Sequence, residues 1–170
     1  IPSGGTEAST TFDSPRDIAF GAGRFVAVGT NSNGNFVAVF FDGPGVGNGG
    51  TDWYGTFGTG SGSAYGVAYG NNTFVIVGKW GASSITIAHS KGGETWKSAT
   101  DQSVFSTGRG VIWTGSYFVA FGDNDHGASI VALSQDGDIW MRVVSPTAMF
   151  TEAEQIFTVA GYGGAYYEKD

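Results

Sequence analysis

The amino-acid sequence predicts an all-β chain, and three observations carry that prediction. Four segments share one strand–turn–strand pattern, glycines and tryptophans recur at near-constant spacing, and nowhere do apolar residues hold the 3.6-residue period of a helix. The segments are Asp17–Gly29, Gly66–Gly78, Gly110–Gly122 and a degraded fourth, Phe150–Gly161, that keeps Phe157, Val159 and Gly161. The closing glycines lie 49, 44 and 39 residues apart, and Trp53, Trp96 and Trp140 lie 43 and 44 apart. A period of about 40–50 residues with strand-like content is that of a β-propeller blade, so about four blades of four-stranded antiparallel sheet are expected.

Each repeat divides into four short strands. Strand A is expected at Asp17–Phe20, Gly66–Tyr69, Gly110–Trp113 and Met149–Thr151. Tight turns rich in Gly and Asn follow, at 21–23, 70–72 and 114–116, where hairpins need positive φ. Strand B is expected at Phe25–Val28, Phe74–Val77, Phe118–Phe121 and Phe157–Ala160, and strand C at Phe36–Phe41, Ile85–His89, Ile130–Ser134 and Ala165–Glu168. Strand D starts near the tryptophans. Strands A and B are apolar on both faces, as sheets stacked on both sides require.

Composition narrows the function classes. The chain has 170 residues, 30 glycines, 13 phenylalanines, four prolines and a net charge of −7 from eight basic and 15 acidic side chains. That length fits one domain. An acidic chain repels a phosphate backbone, so nucleic acid is not an expected partner. No basic run favours an anionic membrane and no apolar stretch approaches a bilayer span. Without cysteine there is neither a disulfide nor a thiolate metal site. The chain opens on Ile1, as expected of a processed chain or a segment of a longer one.

The turn between strands C and D carries a resemblance. Residues 89–96, His-Ser-Lys-Gly-Gly-Glu-Thr-Trp, and 133–140, Leu-Ser-Gln-Asp-Gly-Asp-Ile-Trp, resemble the Asp-box of sialidase-like propellers, Ser-x-Asp-x-Gly-x-x-Trp. Gly93, Gly137 and both tryptophans fit; Lys91 and Gln135 stand where that family has its aspartate, and His89 and Leu133 where it has its first serine. Blade one carries a glycine-rich insertion, 43–50, before Trp53. The resemblance implies a propeller of the kind found in secreted bacterial and phage tail proteins, with the box as a structural turn away from any active site.

The blades are expected at about 17–60, 64–106, 109–146 and 148–170. The last lacks strand D, and residues 1–13, with a closing strand near 7–12, fall in the phase that would complete it. Such closure removes free sheet edges; the alternative is a cut from a longer tandem array.

Propeller ligands sit where D–A and B–C loops surround the axis, and the candidate site residues are those loops' polar and aromatic groups. Arg16 and Arg109 each precede a strand A, in blades one and three, and are expected to face each other across the mouth, where paired N–H donors suit a carboxylate or phosphate. Lys79 and Trp80 open the B–C loop of blade two; an exposed indole there could stack on a sugar, against the alternative of a cap over the neighbouring blade. Asp123, Asp125 and His126 share the most polar B–C loop, 123–127. Its oxygens offer a calcium candidate at Asp123 and Asp125, although no glutamate completes a helix-flanked loop, and His126 lacks a motif-linked nucleophile. No other cofactor is expected.

The resulting expectation is a non-enzymatic structural or binding module on an extracellular or virion surface, of virion-decoration, tail-fibre or adhesin type. Its partners would be protein neighbours, surface glycans or further copies of itself. The competing reading is a fragment of a sialidase-like enzyme. That enzyme needs three arginines on a carboxylate, whereas only Arg16, Arg24, Arg109 and Arg142 exist and Arg24 belongs to the turn end; Glu152 and Glu154 would be its paired carboxylates.

Overall fold

The computed structural model describes residues 12–31, 33, 34, 36–42, 54–57, 61–81 and 84–143, with β3 and β4 as backbone. Twelve strands form among them: β1 Phe12–Gly21, β2 Arg24–Asn31, β3 Phe36–Asp42, β4 Tyr54–Phe57, β5 Gly62–Gly70, β6 Thr73–Trp80, β7 Ile85–Ser90, β8 Lys97–Ser98, β9 Thr107–Trp113, β10 Phe118–Asp123, β11 Ser129–Ser134 and β12 Met141–Arg142. They make three four-stranded antiparallel sheets, each a simple meander in chain order. β1, β5 and β9 stack on one another as the innermost strands. The expected fourth blade, the closing segment before Phe12, Trp53, Glu152 and Glu154 lie outside the described residues. Phe12 and Asp13 belong to β1, where Phe12 pairs with Asn31.

The tight turns follow the chemistry of their residues. Asn71 and Asn72 hold φ of 44° and 54° between β5 and β6, a left-handed pair that asparagine tolerates and that matches the strand twist. Across each such turn the last aromatic of strand A meets the first phenylalanine of strand B: Phe20 on Phe25, Tyr69 on Phe74 and Trp113 on Phe118, with ring centroids 4.8, 4.6 and 4.7 Å apart and tilts of 52°, 51° and 55°. The same pair then grips the preceding blade. Tyr69 covers Gly21 and Trp113 covers Gly70 so closely that a Cβ on either glycine would fall within the ring.

Between the sheets lie two apolar layers. Val26 and Val28 of blade one meet Val67, Phe74 and Ile76 of blade two; Val75, Val77 and Ile87 from its other face meet Val111, Phe118 and Ala120 of blade three. Successive residues of strand B thus point to opposite layers, which is why these strands are apolar throughout.

At the turn end, side chains fasten blade to blade. Arg24 donates to Gly92 O at 3.0 Å and pairs with Glu94, while Asn71 Nδ2 donates to Gln135 O at 2.9 Å. The two described C–D turns share one construction. Ser90 and Ser134 hydroxyls each accept a hydrogen bond of 2.8 Å from the N–H of Gly93 and Gly137, and Trp96 and Trp140 indoles donate to the carbonyls of the same glycines at 2.8 and 2.9 Å. The capping serines are therefore one residue later than the motif alignment placed them. In blade three Asp136, not Gln135, organises the turn, its Oδ1 accepting from the N–H groups of Asp138 and Ile139 at 2.9 and 3.0 Å. Burial would raise the Asp136 pKa, but those donors and the Ser134 hydroxyl outweigh it, so the carboxyl lies below its ordinary value.

The periodic glycine has a steric cause. Besides a slip at Asp13 in β1, each A–B pair slips register at one shared position, so that Arg16, Tyr65 and Arg109 are extra residues with none opposite. Each is a β-bulge, which kinks its strand and redirects the side chain. Gly29, Gly78 and Gly122 sit on strand B beside those bulges, paired with Pro15, Ala64 and Gly108. A Cβ on Gly78 would lie 2.8 Å from Ala64 Cα, and one on Gly122 3.0 Å from Gly108 Cα, with the carbonyls of Ser63 and Thr107 closer still.

Gly78→Ala and Gly122→Ala are therefore expected to cost about 2 kcal/mol or more, lowering Tm by roughly 4–8 °C, whereas Gly92→Ala, with open space at its Cβ, leaves Tm unchanged by thermal circular dichroism. Asp136→Asn is expected to cost about 1 kcal/mol at pH 7. Because the folded carboxyl has the lower pKa, wild type holds this advantage above pH ~4 and loses it as the pH falls through the depressed value, so denaturation curves of the two proteins converge in acid.

Candidate functional site

The three bulge residues are brought together at the loop end of the inner strands. Arg16 Cζ lies 5.5 Å and Arg109 Cζ 5.3 Å from the centroid of the Tyr65 ring. Both guanidinium groups thus draw on one aromatic ring, within the range where its quadrupole attracts a cation. The backbone between blades closes tightly here. Asp17 Oδ2 accepts the N–H of Val67 at 2.9 Å, so blade one caps a donor beside blade two's bulge.

Arg109 has a second attachment. Its Nε and Nη2 both reach Asp123 Oδ2 at 2.7 Å, from the end of β9 to the end of β10. The charge-assisted pair fixes the guanidinium plane beside Tyr65. Next to it opens a cavity of about 420 Å³, lined by Ser61, Ser63, Tyr65, Lys79, Thr107 and Arg109 among others. Hydroxyls, an ammonium, a guanidinium and a phenol ring thus face one space. Three of the chain's eight basic side chains, Arg16, Lys79 and Arg109, belong to this end of a molecule whose net charge is −7. The arrangement can accept a carboxylate or other oxyanion and can flank an apolar or aromatic group with the Tyr65 ring.

The structure places the sequence-derived candidates as follows. Arg16 and Arg109 are brought to one ring, that of Tyr65, because all three are bulge residues of neighbouring inner strands. Lys79 is exposed and lines the cavity. Trp80 is not an exposed stacking platform: only 3 % of its surface is accessible, and it packs with Val28, Val67 and Ile76 between blades one and two. Strand β6 extends to Trp80, and alternation along it puts the indole in the same layer as Phe74 and Ile76, so the capping alternative holds. Asp123 is committed to Arg109. Asn124 Oδ1 accepts from the N–H of His126 and of Ala128 at 2.9 and 2.8 Å, ordering the loop, and leaves Asp125 and His126 exposed at its tip. Among the described residues no three His, Asp or Glu side chains gather as metal ligands would. Arg24 and Arg142 stay apart from this site; Arg142 Nη2 donates to the carbonyls of Ser103 and Val104 at 3.0 and 2.7 Å.

No family model matches the chain, and no curated protein matches it. Among solved structures it is similar to YCF48 bound to D1 peptide, with 17 % sequence identity and a TM-score of 0.51 over 76 % of this chain and 40 % of that one. The chain has a β-propeller fold. The match spans less than half of that protein's length, and at this identity the likeness is one of fold. No helix among the described residues is long and apolar enough to cross a membrane.

Tyr65 escaped the sequence reading, as did Ser61, Ser63 and Thr107. The signal for Tyr65 lay in the repeat alignment itself, where it fills the column of Arg16 and Arg109. Asp123→Asn is expected to move Tm by no more than about 3 °C, the pair being partly exposed, while phenylglyoxal modification of Arg109, followed by peptide mass mapping, becomes faster as its carboxylate partner is lost.

Proposed function

We propose that this chain is a non-enzymatic binding module that takes a carboxylate-bearing segment of a protein partner at the Arg16–Tyr65–Arg109 mouth. One observation carries the reading: two guanidinium groups on a single tyrosine ring, beside a cavity that also holds an ammonium and hydroxyls. A side chain or chain end with a carboxylate would exchange with Asp123 for Arg109's donors and gain Lys79 as a second cation. Ser61, Ser63 and Thr107 supply partners for main-chain polar groups.

A peptide is preferred to a glycan because the residue offered for sugar stacking, Trp80, is enclosed in the core. The solved neighbour described as bound to a peptide adds support for a protein ligand. The matching Ser–Gly–Trp bonds of the two C–D turns support kinship with Asp-box propellers. An exposed scaffold of virion, tail-fibre or adhesin type remains the proposed setting, on the grounds of a glycine-rich, lysine-poor, acidic composition. The enzyme reading has less behind it: Arg24 and Arg142 serve carbonyls and Glu94 elsewhere, so the arginines of a sialidase carboxylate clamp do not converge.

Isothermal titration against peptides ending in Asp or Glu, their amidated counterparts and a glycan panel tests this. Binding is expected to the carboxylate peptides alone, weakened about tenfold or more by Arg109→Ala and by Lys79→Ala, and falling with salt. Affinity unaffected by both variants, or confined to glycans, would rule it out.

A further inference from the structure

The residue after the periodic glycine differs in each blade. Thr30, Lys79 and Asp123 hold that place, paired with Ser14, Ser63 and Thr107 beside the three bulges. A bulge therefore forms with a hydroxyl, an ammonium or a carboxylate there, and the blade has no need of the acid. Among the described residues, only in blade three does this position hold the bulge side chain. Thr30 Oγ1 lies 2.7 Å from Ser63 Oγ of blade two, and Lys79 is exposed on the cavity, whereas Asp123 binds Arg109.

That hold is of a kind that a ligand can displace. Nε and Nη2 of Arg109 both end on Oδ2, at 2.7 Å, instead of meeting one oxygen each as in the stronger parallel pairing. The two side chains are 39 % and 30 % exposed, so water reaches the pair and weakens it. The backbone of Asp123, by contrast, is fixed. Thr107 and Ser129 pair with it from both sides, and its carbonyl accepts from the N–H and the hydroxyl of Ser106 at 2.7 and 2.9 Å. Releasing Arg109 thus takes a side-chain rotation and displaces no strand.

We infer that Asp123 is a built-in competitor, a carboxylate that occupies Arg109 in place of the ligand and so sets the affinity and selectivity of the mouth. It acts in this way only if the mouth binds carboxylates, as proposed above. A ligand carboxylate that meets Nε and Nη2 with one oxygen each displaces it; an uncharged amide or hydroxyl does not. The fraction of molecules with Arg109 released limits the apparent affinity, so removing the competitor's charge tightens binding.

Isothermal titration of wild type, Asp123→Asn and Asp125→Asn tests this, with a peptide whose one carboxylate is its C-terminus and with the amidated form of that peptide. Asparagine at 123 keeps an acceptor for Arg109 and removes the charge, while Asp125→Asn removes an equal charge from the exposed tip of the same loop. Asp123→Asn is expected to bind the free peptide about fivefold tighter than wild type, a gain that persists in high salt. Asp125→Asn stays within about twofold of wild type, because an exposed charge without contact is screened. None of the three binds the amidated peptide. Equal gains in both variants mean a general field effect and overturn the inference. So does a wild type that binds the peptide while Asp123→Asn binds it no better, a result that leaves carboxylate binding at the mouth standing. Failure of all three proteins to bind the free peptide removes both. Should Asp123→Asn fail to fold, Asp123→Thr, which installs the residue of blade one, carries the same comparison.

Discussion

Every blade turns on one steric arrangement, a bulge in the inner strand facing a glycine in the next. The extra residue breaks the two-residue alternation of strand A, so its side chain leaves the apolar layers and points to the loop end. The bulged backbone then comes so near strand B that only hydrogen fits on the facing residue. Gly78 and Gly122 recur for this reason, Gly29 holds the same place in the register, and Arg16, Tyr65 and Arg109 fall into line as its consequence. A structural repeat has thereby become a row of projecting groups, and changing the residue type in that one column changes the chemistry of the mouth without touching the core.

The two ends of the sheets divide the work. At the turn end, Ser90, Ser134, Asp136, Arg24 and Asn71 spend their polar groups on backbone within and between blades, so little is left over for a ligand. At the loop end, Arg109 is held by one carboxylate at one oxygen and one ring, an arrangement that a competing carboxylate can enter. Three cations, Arg16, Lys79 and Arg109, lie at the mouth of a chain that is acidic as a whole.

Much of the fold was legible in the chain. Paired aromatics around Gly- and Asn-rich turns marked strands A and B because hairpin twist and stacking both act over a few residues. In blades one to three the A, B and C strands sit near their expected positions, and Trp96 and Trp140 mark the start of strand D. The bulges were not legible. They show as an unremarkable residue before Asp17, Gly66 or Gly110, and only the strand register reveals that nothing sits opposite. Hence the two arginines were found, while their geometry and Tyr65 were not. Trp80 misled because it was read as part of a loop, whereas β6 runs on to it and alternation places it in the same layer as Phe74 and Ile76. The serine caps shifted by one residue because hydrogen-bond geometry, not motif position, decides which hydroxyl reaches Gly93 and Gly137.

The alignment of the bulge residues is open to a direct observation in solution. Arginine side-chain NMR would show the Arg16 and Arg109 Hε and Hδ resonances both displaced upfield by the ring current of Tyr65, and both returning toward ordinary positions in Tyr65→Leu while the methyl spectrum of the core is retained. If only one arginine responds, or neither, the bulges do not set these three side chains in one row and the account of the mouth fails.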